Sequence, residues 1–117
     1  MATQFGKELK KLRIDLGITL MDMAKKINVS AAFLSAIETG RKRIPDGTLE
    51  VLAAAFPAIA SERNKFEVLV NQARKEVSVP LKDASYEDAL LATALARRFG
   101  SLSAEDKERI RNLVTME

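Results

Sequence analysis

Apolar residues recur along this chain at three- and four-residue intervals, and the recurrence breaks at glycine, asparagine, serine and proline, the pattern of short helices joined by tight turns. Phe5, Leu9, Leu12 and Leu16 make one stripe, with Lys7, Glu8, Lys10 and Lys11 outside it, so the spacing predicts a helix over 5–16 ended by Gly17. Leu20, Met23, Ala24 and Ile27 predict a second over 20–27, with Thr19 as its cap and Asp22 as the reciprocal half of a capping box. Asn28 tolerates the left-handed conformation of a tight turn. Ser30 can cap a third helix over 31–39, to which Phe33, Leu34 and Ile37 give an apolar stripe and which Gly40 stops. After the turn at 44–47, Leu49, Leu52, Ala53 and Phe56 face inward from a helix over 48–56 that Pro57 is expected to stop. Phe66, Leu69, Val70 and Ala73 mark a fifth over 61–76. There Arg63, Lys65, Arg74 and Lys75 are interspersed with Glu62, Glu67 and Glu76, which reads as a solvated outer face.

Beyond this the pattern changes. Residues 77–81, VSVPL, alternate with a strand period but carry a proline, which allows at most an edge strand or an extended connector. Ser85 and Ser103 each precede an acid by three residues, so two more helices are expected over 86–99 and 104–115, separated by Gly100. The run ALLATALA at 89–96 carries no charge through two turns, and a helix apolar on all sides must be buried on more than one face. Two short helices offer little to bury it against, so a second copy of the chain is the economical cover, with Leu90, Leu91, Leu95 and Phe99 as the dimerisation residues; the alternative is an extension folded back to complete the core of a single chain.

The second and third helices are joined by so few residues that they must cross steeply, as in a helix-turn-helix. The pattern T-x-x-x-x-A-x-x-x-x-V-S-x-x-x-L-S-x-I-E-x-G-R-K-x-x-P over 19–45 resembles the DNA-binding core of the lambda-repressor-like, Cro/XRE family, and the resemblance extends over about residues 5–57. The expected fold is therefore all-α: a five-helix lambda-repressor-like DNA-binding domain over 1–76, then a short C-terminal helical dimerisation extension over 77–117. The resemblance implies a third helix lying in a major groove, with Ser30 opening it, Ala31, Ala32, Ser35 and Ala36 at the bases and Phe33 beside them, where core packing and groove contact are both open to its ring. It also implies a buried ion pair between Arg13 and Glu38 that locks two helices. Phosphate contacts are assigned to Arg41, Lys42 and Arg43, with Lys7 and Lys25 as lesser candidates. Two departures stand out. Relatives that read bases by bidentate hydrogen bonds carry glutamine, asparagine or arginine where this chain has methyls, one hydroxyl and a ring, and Leu20 stands where many carry a phosphate-touching glutamine. Selectivity should then rest on thymine methyls, half-site spacing and DNA shape, with Arg41 or Arg43 reaching a minor groove.

Composition narrows the function. The 117 residues contain no cysteine and no histidine, which excludes a disulfide framework, a zinc finger and the commonest general base. Net charge is +3; residues 1–60 hold nine Lys and Arg against six Asp and Glu, and 61–117 hold ten against ten, so the surplus sits in the helix-turn-helix half. Beside such a motif, basic charge supplies phosphate affinity. The longest uncharged apolar run, 51–60, is too short for a bilayer, so a soluble cytoplasmic protein is expected. Carboxylates such as Asp46 and Glu50 have no clustered partners or metal-ligand spacing and read as turn and surface residues, so no enzyme activity, metal or cofactor is expected. The expected partners are double-stranded DNA and a second copy. A chain of this size without a recognisable ligand domain would act as a repressor by occlusion; the alternative is an antitoxin that represses its own operon and binds a toxin.

Overall fold

The computed structural model describes residues 2–115, and among them there are eight α-helices and no strand. Contacts divide the chain into a unit ending at Val77 and a second beginning at Ser78.

The first unit contains six helices: α1 (Gln4–Leu16), α2 (Leu20–Lys26), α3 (Ala31–Glu38), α4 (Thr48–Ala55), α5 (Pro57–Ser61) and α6 (Arg63–Arg74). Their core is Phe5, Leu9, Met23, Leu34, Ile37, Ile44, Leu52 and Ile59, each shielded almost completely from solvent. The chain punctuation works locally. Gly17 takes the left-handed conformation after α1 (φ 68°), and its amide donates to the carbonyls of Arg13 and Ile14. Thr19 and Asp22 form a reciprocal capping box on α2: the Asp22 amide donates to Thr19 Oγ1 at 3.0 Å and the Thr19 amide to Asp22 Oδ2 at 2.9 Å. Asn28, at φ 59°, turns the chain between α2 and α3.

Two expectations are corrected. Leu16 is half exposed, because the apolar stripe of α1 runs out on its last turn while Arg13 takes the buried position before it. The five helices expected in this unit are six: the one expected over 61–76 is α6, and α5 precedes it because Pro57 does more than stop α4, occupying the first position of α5, where its missing N–H costs nothing and its fixed φ suits helix entry. That short helix seats Ile59 in the core before α6 begins.

Gly6 has a role the periodicity did not reveal. It is buried within α1, and a Cβ there would lie 2.2 Å from the Glu38 carbonyl oxygen, so α1 and α3 cross in near backbone contact. Thr3 seals the crossing, its amide and hydroxyl donating to that same carbonyl at 2.9 and 3.1 Å.

The second unit contains α7 (Tyr86–Arg98), a 3-10 turn over Phe99–Ser101, and α8 (Ala104–Thr115). Residues 77–81 form no strand; they are an exposed connector without regular secondary structure. Ser85 and Ser103 cap the two helices through the amides of Asp88 and Asp106. No described residue of this unit is buried. No helix among the described residues is long and apolar enough to cross a membrane.

Candidate nucleic-acid interface

The candidate interface is centred on α3, which is amphipathic over its two turns. Leu34, Ile37 and Glu38 point inward. Ala32 is exposed, and Ala31, Phe33, Ser35 and Ala36 are half-buried along the remaining surface. Ser30 Oγ accepts the Phe33 N–H at 3.0 Å and fixes the helix start. The outer face is thus low and small, made of methyls and the Ser35 hydroxyl.

Glu38 anchors α3 from beneath. Arg13 Nη1 donates to Glu38 Oε2 at 2.6 Å and Arg13 Nη2 to Oε1 at 3.0 Å, a bidentate pair with both side chains about nine-tenths buried. Arg13 Nη1 also lies 3.4 Å from Met23 Sδ, so one guanidinium touches α1, α2 and α3 together. Planar fork geometry of this kind orients as well as attracts, and it sets the tilt of α3 against the two helices beneath it.

The basic loop folds back on the end of α3. Arg41 and Lys42 both donate their amides to the Ala36 carbonyl, at 3.0 and 3.1 Å. Thr39, which no sequence pattern singles out, organises this return: its hydroxyl donates to the Ser35 carbonyl at 2.9 Å and accepts from Arg41 Nε at 3.1 Å. Lys42 Nζ lies 5.7 Å from the centroid of the Phe33 ring, a cation–π distance. Phe33 therefore has two roles, packing against the core from α3 and carrying a cation on its open face.

The three consecutive basic residues do not behave alike. Among the described residues neither Arg41 nor Lys42 meets a carboxylate, whereas Arg43 pairs with Glu76 just beyond the end of α6. Arg74, the last residue of α6, reaches Asp46 at 2.5 Å and has its Nε buried without a partner among the described residues. Arg74 is therefore part of the scaffold rather than of a solvated face. Glu50 meets Arg63 at 3.0 Å, so the Asp46 and Glu50 carboxylates both face arginines.

Further basic residues are also engaged. Lys65 Nζ reaches Glu8 Oε1 at 2.9 Å, which holds the Glu8 carboxylate below its ordinary range and raises the Lys65 ammonium above its own. Lys26 lies over the Phe56 ring at 5.6 Å. Lys7 and Lys25 are exposed, and Leu20 packs against the core.

A protein-family model described as a helix-turn-helix domain matches residues 4–66, more than half of the chain. Neither a curated protein nor a solved structure is matched.

Proposed function

The chain belongs to the helix-turn-helix domain family, and we propose that it is a sequence-selective transcription regulator, a homodimeric repressor that acts by occupying its operator. The observation that carries this reading is the pairing of a small, open face on α3 with a basic loop that folds back beside it, in which Arg41 and Lys42 meet no carboxylate among the described residues. In the proposed complex α3 enters the major groove with its first turn toward the bases. Ala32 and Ala36 meet thymine methyls, and Ser35 offers one hydroxyl. Arg41 and Lys42 take phosphates, together with the Ala31 and Ala32 amides, which lie in the first turn of α3, where backbone N–H groups have no intrahelical acceptor.

Such a surface discriminates weakly per base pair, because no bidentate hydrogen bond is on offer. Two half-sites read by two copies, about one turn or ~34 Å apart, would supply the missing selectivity. Occlusion then needs nothing beyond occupancy.

Fluorescence anisotropy with DNA from the region upstream of the protein's own gene, against scrambled DNA at two salt concentrations, tests the reading. Tighter binding to the cognate region that persists at the higher salt is the expected outcome. Equal and steeply salt-sensitive binding to both would replace a selective regulator with a nonspecific DNA binder.

A further inference from the structure

The second unit has no core of its own. None of its described residues is buried, and Leu90, Leu91 and Leu95 are 54%, 68% and 40% exposed. Helices of 12 and 13 residues are marginal in water without tertiary packing. Something must cover α7, and the order of its residues identifies what.

Written from either end, α7 and the residue after it read nearly alike. From Tyr86 forward the order is aromatic, acid, acid, Ala, Leu; from Phe99 backward it is aromatic, base, base, Ala, Leu. The centre of this inverted repeat lies between Ala92 and Thr93, and the charges change sign across it. At about 100° per residue, Glu87, Leu91, Ala94 and Arg98 fall on one line along the helix, flanked by Leu90 and Leu95. The partly covered positions, Ala89 and Ala92, lie on the opposite side.

We infer that α7 pairs antiparallel with α7 of a second copy, about a two-fold axis passing between Ala92 and Thr93. This rests on the homodimer reading above and specifies the surface that makes the dimer. Residues equidistant from the axis then face each other: Glu87 meets Arg98 of the second copy, and Leu91 meets its Ala94. The acidic first turn of each helix, Glu87 and Asp88, lies against the basic last turn of the other, Arg97 and Arg98. A parallel arrangement would set like charges together at both ends. The interface is isologous, as a two-fold contact must be. A partner with a surplus of one sign would gain at one end of α7 and lose at the other, whereas the same helix reversed gains at both.

Charge exchange in the full chain tests the pairing. The Arg97→Glu/Arg98→Glu chain carries four acids along α7, and the Glu87→Arg/Asp88→Arg chain carries four bases. Each alone is expected to dimerise at least about tenfold more weakly than the wild type in sedimentation experiments. An equimolar mixture of the two is expected to form a mixed dimer of near wild-type affinity. Mixing would not rescue a loss caused by fraying of α7, which separates the two explanations. If both altered chains dimerise like the wild type, the α7 pairing is overturned while the homodimer reading stands. A wild-type chain that stays monomeric overturns both, and leaves α7 to a different protein such as a toxin.

Discussion

Arg13 and Glu38 show how one pair of residues fixes a surface it does not belong to. Both side chains are about nine-tenths buried, so removing one leaves the other's charge without its counterion in a poorly solvated place. Arg13→Ala is expected to cost about 3–5 kcal/mol in denaturant unfolding. Replacing both, as Arg13→Met with Glu38→Leu, should recover most of that, because no uncompensated charge remains. Equal stability of Arg13→Ala and the wild type would mean that the pair holds nothing together. Arg43 and Glu76 pose the opposite case, with side chains that are half exposed, where an ion pair contributes little to stability. Its effect should appear in DNA binding. In the proposed complex Glu76 would compete with phosphate for Arg43, so Glu76→Gln is expected to leave the melting temperature unchanged while tightening DNA binding. It should also steepen the slope of log K against log salt by about 0.9 per site, the contribution of one further phosphate. A shallower slope would mean that Glu76 orients Arg43 toward DNA.

At the scale of the element, the signals that decide helix boundaries are local, and these are legible in the sequence. Thr19 with Asp22, Ser30, Ser85 and Ser103 sit where their side chains cap, and Asn28, Gly17 and Gly40 take the left-handed turns that their chemistry permits. The cap on α2 also carries a pH dependence. The Thr19 amide donates to the Asp22 carboxylate and holds it below its ordinary range. A carboxylate whose value is depressed on folding adds stability above its unfolded value and loses it as pH falls through the folded one. Acid should therefore weaken the box from the Asp22 side. Thr19→Ala is expected to cost about 0.5–2 kcal/mol at neutral pH, and Asp22→Asn to flatten the acid limb of the stability profile; an unchanged limb would assign that limb to other carboxylates such as Glu8. What periodicity cannot supply depends on tertiary proximity. Gly6 lies inside a helical pattern that disfavours glycine, and this conflict is the available sign of a close crossing. The ion pairs of Arg43 with Glu76 and Arg74 with Asp46 join residues 33 and 28 positions apart, beyond any local rule. Pro57 reads as a stop in the sequence, although the same ring also starts a helix.

Across the whole molecule, the first unit carries every buried residue among those described and the second carries none, so the buried core lies entirely in the first unit, and the proposed dimer contact lies outside it. A chain ending at Ser78 keeps all of the core in the described structure, and its helices should melt cooperatively. It should, however, run as a monomer in light scattering, since the exposed leucines of α7 are gone. In the proposed dimer, loss of one DNA-reading copy from each complex would have two consequences. Affinity for a two-half-site operator should fall by roughly a hundredfold or more, because the second contact is no longer intramolecular. The slope of log K against log salt should also halve, because that slope counts the phosphates neutralised in each complex. These measurements are independent of one another. A truncated chain that is monomeric yet keeps the full salt slope would place the whole phosphate footprint on a single copy. In that case the second unit would contribute to something other than operator recognition, and a truncated chain that still dimerises would move the dimer contact onto the first unit.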